Sequence, residues 1–292
     1  MAARTLNIVG CGRVGMTLGR LLSAGGLCTI GSVVNRSLES ATRAISFIGS
    51  GHAVSSIAEI SPADLVFIGT SDSFIPDCVY ALVSEKRVQA GGVVFHCSGA
   101  LSSDVLAAVS ALSAVTASVH PVKSFADPAA AAATFSGTPC VVEGDKNALE
   151  ILEPLFSAMG ARLIRVRPRD KLLYHAGTVF GSNFVVLLLH GAHKILVEAG
   201  MSGEDSLQLL EPLVKGSIQN FFSFGAEKAL TGPVARGEVA LVEDQYAVLK
   251  GNDATLADIY RSISLLALQI AKLSPGAPLE ELSELEQSLA SK

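Results

Sequence analysis

Short aliphatic runs that are apolar on both faces, spaced by helical patterns, constrain this chain more than any other feature. They are Leu6–Val9, Thr29–Val34, Leu65–Gly69, Val93–His96, Thr116–Val119, Cys140–Glu143 and Arg162–Val166. A strand without a polar face must be covered on both sides, as in a parallel sheet wrapped by crossover helices. Two of those helices read directly from the pattern, Gly10–Gly25 and Asn147–Gly160, the second ending on a glycine stop. The alternation predicts an α/β domain over residues 1–168, built on a doubly wound parallel sheet. After Arg167-Pro168 the pattern changes, and residues 169–292 read as an all-helical domain. Its first helix is expected to run from Arg169 to Ala199. Ser202-Gly-Glu-Asp205 has the form of a capping box for a helix toward Phe224, and three more helices follow: Glu238–Leu249, Leu256–Lys272 and Glu280–Leu289.

The turn after the first strand reads Gly10-Cys11-Gly12-Arg13-Val14-Gly15, a G-x-G-x-x-G pattern that leads into an apolar helix. In that context the glycines have separate tasks: a tight turn, close approach of backbone to a pyrophosphate, and close packing of helix on sheet. The helix N-terminus supplies free N–H groups and a partial positive charge to the phosphates. A carboxylate about 20 residues later would bind the ribose 2′-OH of NAD. This chain has Asn35-Arg36-Ser37 there, with no acid before Glu39. A cation and a hydroxyl suit a 2′-phosphate, so NADP is expected over NAD; the other reading of Arg36 is a solvated loop charge. Two later turns, Thr70-Ser71-Asp72 and Ser98-Gly99, fall at carboxyl ends of strands, where open α/β sheets bind ligands. Asp72 would serve equally as a helix cap.

Candidates for chemistry follow from the same edge. His120, before Pro121, ends the run Val115–Val119, and a histidine there can hold or give a proton near neutral pH. Lys171, His175, Thr178 and Ser182 are spaced so that they fall within about 40° of one another on a helix. A polar stripe on an apolar helix lines a ligand cleft or belongs to an internal hydrogen-bonded network. Asn183 lies further round, and Arg236 in the loop Thr231–Gly237 would anchor an anion or satisfy helix carbonyls. In a hydride-transfer reading His120 supplies the proton, His175 and Asn183 orient the substrate, and Ser98 bridges it to the nicotinamide.

Composition narrows the function classes. With 22 basic and 27 acidic residues the net charge is −5, no footprint for a nucleic-acid partner. Mean hydropathy is +0.46. The most apolar stretch, Val179–Val197, is interrupted by Ser182, Asn183, His190, His193 and Lys194, so it is expected to be a buried helix and not a membrane span. The five cysteines are scattered without metal-ligand spacing and are expected to be reduced thiols. With MAARTLNIVGCG entering a strand at once, no signal peptide is expected and the reading is a cytoplasmic protein. Ile259, Ile263, Leu266, Ile270 and Leu273 make a wide apolar stripe in the helical half, which predicts a homodimer.

Six segments taken in order carry a family resemblance: GCGRVG, FIGTSD, HCSGAL, SVHPVKSFADP, LLYHAGTVFGSNF and ALTGPVARGE. The chain resembles the Rossmann-like NAD(P)-dependent reductases whose C-terminal helical half is a domain of unknown function. That group is related to pyrroline-5-carboxylate reductase, prephenate dehydrogenase and the coenzyme F420-dependent NADP reductases. The resemblance implies an NAD(P)-binding Rossmann domain, a helical dimerisation domain and a site between them. His120-Pro121 resembles the catalytic His-Pro of prephenate dehydrogenases, and His175 and Ser182-Asn183 sit where related families keep site residues. Three departures stand out. Ser-Asn-Phe replaces the Ser-His-Leu-Pro of the prephenate enzymes, no lysine stands four residues before Asn183 as in ketopantoate reductases, and Glu238-Val239-Ala240 replaces the group's Asp and Thr-Val. The expected function is an NADP-dependent oxidoreductase acting on a small polar carbonyl, imine or hydroxy substrate, with no metal. The alternative is a catalytically silent NADP-binding regulatory protein.

Overall fold

The computed structural model describes residues 4–292 and divides into two compact units, Met1–Gly181 and Ser182–Lys292. The first holds an eight-stranded sheet. Its strands are β1 Arg4–Val9, β2 Cys28–Val34, β3 His52–Val54, β4 Leu65–Ile68, β5 Val93–His96, β6 Val115–Pro121, β7 Pro139–Gly144 and β8 Arg162–Arg165. Their spatial order is β3-β2-β1-β4-β5-β6-β7-β8. The α-helices of this unit are α1 Arg13–Ala24, α2 Leu38–Ile48, α3 Ile75–Ser84, α4 Pro128–Ala133, α5 Lys146–Ala158 and α6 Lys171–Gly181, and a ten-residue 3-10 helix, Ser103–Leu112, follows β5. The order reverses between β1 and β4, the switch point at which doubly wound sheets open a crevice.

The expected strands are all present, with two differences. β3 went unread because three residues with an exposed His52 carry no periodic signal. The sheet is also not wholly parallel, since β7 runs antiparallel to β6. The only helix between those strands, α4, has six residues and spans about 9 Å, whereas the seven-residue β6 spans about 23 Å. Such a helix cannot carry the chain back along the sheet, so the strand returns directly. The thirteen-residue α5 then makes a full crossover, and β8 is parallel to β7.

Apolar layers cover both faces of the sheet. One is centred on Leu6, Ile8, Phe67, Phe95, Leu152 and Phe156, the other on Val9, Val66, Ile68, Val79, Val94 and Leu106. Phe67 stacks on Phe95 at 5.0 Å between ring centroids, and Phe156 meets Phe95 edge-on at 6.2 Å.

The second unit is helical: α7 Asn183–Glu198, α8 Gly203–Phe224, α9 Ala226–Ala229, α10 Val239–Asn252, α11 Ala254–Ala271 and α12 Leu279–Ala290. Ser202 caps α8, accepting the Asp205 N–H at 3.0 Å. A small core gathers Val242, Leu268, Ala271, Leu282, Leu285 and Leu289.

The helix expected from Arg169 to Ala199 is broken at Ser182, whose backbone (φ −132°, ψ −72°) leaves the helical region. Gly181 is costly to hold in a helix, and the Ser182 hydroxyl donates instead to its neighbour Asn183 Oδ1 at 3.0 Å. The division between units falls at this break, later in the chain than Pro168, and α6 stays with the sheet. Residues 168–198 are long and apolar enough to cross a membrane by length and composition alone, with mean hydropathy 1.6. The stretch Val179–Val197, expected to be buried, is largely exposed in the single chain, with Val186 and Leu187 each more than half open.

Candidate active site

Strands β1, β4, β5 and β6 are parallel neighbours, so their carboxyl ends and the turns that follow share one edge of the sheet. At the first turn Gly10 adopts φ +83° and its N–H donates to Val34 O at 2.8 Å. A Cβ there would meet the Thr70 methyl at 2.3 Å, so both conformation and space demand glycine. Asn35 clamps this turn: its Oδ1 accepts the Cys11 N–H at 2.5 Å and its Nδ2 donates to Cys11 O at 3.4 Å. The Asn35 carboxamide thus holds the glycine loop. Ser37 likewise has a structural task, capping α2 by accepting the Ser40 N–H. Arg36 is exposed, and among the described residues it enters no ion pair.

The start of α1 is an anion-receptive surface. Its N-cap, Gly12, provides no side-chain cap, the first turn carries no acid, and Arg13 stands there exposed. Val14 is half-buried and Gly15 buried, and a Cβ on Gly12 would project into open space. Free N–H groups, the helix dipole and a cation thus converge where the glycine pattern places a diphosphate.

The turns after β4 and β5 are tied together through Ser98. Its hydroxyl donates to Asp72 Oδ2 at 2.8 Å and accepts the N–H groups of Ala100 and Leu101 at 3.1 and 2.9 Å. A serine hydroxyl has one donor and two acceptor sites, and all are used. The expected bridge from Ser98 to a substrate is thus corrected to an internal brace. Asp72 serves that brace and caps no helix, and Ser71 beside it is exposed. Behind them His96 is wholly buried: its Nδ1 accepts the Ser98 N–H at 3.1 Å, so its Nε2 donates to Ser102 O at 3.2 Å. Burial, helped by the nearby Lys171 charge, pushes its pKa down to about 4.

His120 at the end of β6 is half-buried and shares a hydrogen bond between its Nδ1 and the Tyr174 hydroxyl at 2.7 Å. His175 stands on its other flank, ring centroids 6.1 Å apart. Gly99 fits between the two imidazoles, where a Cβ would come within 2.6 Å of His175 Nδ1 and 2.9 Å of His120 Cε1. Burial first, then the charge of Lys171 and the proximity of His175, lower the His120 pKa to about 4, with Asp72 opposing. A lowered pKa favours the uncharged imidazole at neutral pH. Burial pushes the Tyr174 phenol up to about 12.

The polar stripe of α6 is real for Lys171, His175 and Thr178, whose hydroxyl donates to His175 O at 2.7 Å; Ser182 leaves it at the helix break. Tyr174 belongs to the same face, three residues after Lys171. Asn183 is exposed at the start of α7 in the second unit. Arg236 forms an ion pair with Glu238 at 2.7 Å, which satisfies it locally.

Residues 2–121 match a Rossmann-like domain, and residues 138–267 match a domain of unknown function, DUF2520. The chain joins a Rossmann-like domain to a DUF2520 domain. Among solved structures, the protein TM1727 of Thermotoga maritima is similar over 91% of this chain and 98% of its own, at 25% identity and TM-score 0.72. An imine reductase from Myxococcus stipitatus in complex with NADP+ is 14% identical, with 96% and 99% of the two chains covered and TM-score 0.68. The pyrroline carboxylate reductase of Plasmodium falciparum with NADP bound is also 14% identical, with 91% and 99% covered and TM-score 0.54. The last two likenesses are of fold. No curated protein sequence is significantly similar to the chain.

The depressed histidines tie stability to pH. Unfolded histidines titrate near ~6.5, so between that value and about 4 the unfolded chain binds protons that folded His96 refuses. The stabilisation is fully present above ~6.5 and is lost as pH falls, on the order of 3 kcal/mol for His96. Urea midpoints measured across this window should fall toward acid, and His96→Gln should flatten the slope.

Proposed function

We propose that this chain is an NADP-dependent oxidoreductase that moves a hydride between a nicotinamide and a small polar carbonyl, imine or hydroxy substrate. The observation that carries this reading is the His120–Tyr174 pair, set beside Gly99 on the sheet edge that also bears the anion-receptive glycine turn. Gly10, Gly12, Arg13 and Gly15 would hold the diphosphate, and the exposed, unpaired Arg36 would meet the 2′-phosphate. The cofactor, when bound, supplies or accepts the hydride. That solved relatives in fold include NADP-bound reductases supports the same cofactor class.

The residues of this chain handle the accompanying proton. In the direction of oxidation the uncharged His120 imidazole takes the proton from the substrate hydroxyl or amine at Nε2. Its Nδ1–H then donates to the Tyr174 oxygen, which fixes the ring and its tautomer. In reduction Nε2 first takes up a proton from solvent and then passes it to the substrate heteroatom. The gap between His120 and His175 is narrow, and Gly99 lets the turn after β5 lie in it where a Cβ would clash. His175 offers a second ring nitrogen toward that gap.

A screen of small hydroxy acids, amino acids and imines against NADP+ and NADPH, read at the nicotinamide absorbance, tests this directly. His120→Ala should lower turnover by ~10²–10⁴-fold while leaving NADPH affinity unchanged. Tight NADPH binding without turnover of any substrate would instead support the regulatory reading. By calorimetry NADPH should bind more tightly than NADH, and Arg36→Ala should narrow the difference; equal affinities in the unmodified protein contradict the assignment of Arg36.

The same proposal includes a homodimer through the helical unit. On α11 the stripe Ile259, Ile263 and Leu266, with Leu273 just beyond it, is exposed in the single chain, Leu273 by 67%. On α8 Leu213, Ile218 and Phe222 are exposed too, Phe222 by 81%. Apolar area on this scale marks a contact surface. Polar residues within α7, and the break before it, suit a protein partner better than lipid, and a second copy brings the same apolar stripes. Light scattering at micromolar concentration should give twice the chain mass, and a monomer would contradict this assignment.

A further inference from the structure

One charged group beneath the proposed site has no part in the reaction so far. Lys171 opens α6 and is completely buried. Its ammonium donates to Ser118 Oγ on β6 and lies 3.5 Å from Glu143 Oε1 on β7. Glu143 is buried as well, and its carboxylate also accepts the Ser103 N–H at 2.8 Å and the Ser103 hydroxyl at 2.7 Å. Ser118 Oγ in turn lies 3.4 Å from both His96 Nδ1 and Ser98 O. A buried ion pair is a weak stabiliser, because loss of hydration offsets most of the attraction. A lysine in this place therefore calls for a role other than stability.

We infer that Lys171 is a positioning residue for the proton-handling pair, setting the proton affinity of His120 and the placement of Tyr174 and His175. The placement follows from helix geometry. Tyr174 and His175 stand three and four residues after Lys171, one turn along the same face, so pinning the lysine to β6 and β7 fixes their rotation about the α6 axis. The proton affinity follows from charge. Around His120 are Asp72 from the turn after β4 and Lys171, Tyr174 and His175 from α6, with Cys140 of β7 beside Tyr174 and His96 of β5 beside Ser118. Asp72 favours a protonated His120, while Lys171 and His175 oppose it. Tyr174 and Cys140 stay neutral, both pushed up to about 12 by burial, and His96 is neutral as described. Glu143 is occupied by Ser103 and Lys171. After burial, Lys171 is the charged group that most disfavours a protonated His120, although burial also lowers the proton affinity of Lys171 itself.

This inference rests on His120 as the proton-handling group, but its test reads the imidazole itself. In full-length protein labelled at histidine, the His120 ring signals are assigned by their loss in His120→Asn and followed by NMR against pH. The unmodified protein should titrate well below the ordinary value near ~6.5. In Lys171→Met/Glu143→Gln, which removes both charges and keeps the shape, the midpoint should rise by about one unit. Lys171→Met alone strands a buried carboxylate and serves only as a comparison for folding. A His120 that titrates normally in the unmodified protein overturns the inference without any variant. So does a folded double variant with an unchanged midpoint. A depressed midpoint that rises in the variant, in a protein that turns over no substrate, sustains the inference and removes the oxidoreductase reading. Turnover with an unshifted His120 does the reverse.

Discussion

The Lys171–Glu143 contact is the constraint on which the site depends. Removing one partner of such a buried pair costs about 3–5 kcal/mol, because the other charge is left without water or counterion. The two residues lie on α6 and β7, and the hydrogen bonds that complete the contact reach β6 through Ser118 and the turn after β5 through Ser103. Four segments that could otherwise shift independently are therefore locked together. Next to this layer sit the groups of the proposed site: His120 at the end of β6, Gly99 after β5, Tyr174 and His175 on α6.

A second layer of fixed hydrogen bonds holds the turns. Ser98 spends its whole bonding capacity on Asp72, Ala100 and Leu101, and Asn35 spends its amide on Cys11. Neither points a free polar group at a ligand, yet both hold in place the backbone that would meet one. The glycine turn and the histidine gap are rigid for the same reason: their polar neighbours are committed to the protein.

Much of this was legible in the chain itself. The Val- and Ile-rich runs announced the sheet, G-x-G-x-x-G announced the turn, and His120 marked the end of β6. What escaped shows where pattern stops being informative. β3 is too short for a period, and the reversal of β7 depends on the length of α4 rather than on any residue in β7. Glu143 reads as the polar end of a strand, and only its meeting with Lys171, 28 positions away, makes it a core residue. Tyr174 shares a helix face with Lys171 and His175, a signal present in the spacing but hidden by its aromatic ring among leucines. The internal task of Ser98 escaped because a polar residue in such a turn looks the same whether it faces ligand or backbone. The break at Ser182 was foreshadowed by Gly181 and by the Ser-Asn pair, both weak in a helix.

That α6 folds with the sheet bears on how such a chain can be inherited or exchanged. A chain cut after Pro168 would keep every strand and lose Lys171, Tyr174 and His175 together. It would leave Glu143 as a bare buried carboxylate beneath a site stripped of two of its rings. The compact unit is therefore not the strands alone but residues 1–181. A recombination event that swapped helical halves at the end of the sheet would have to carry one helix along, or repack the sheet beneath it.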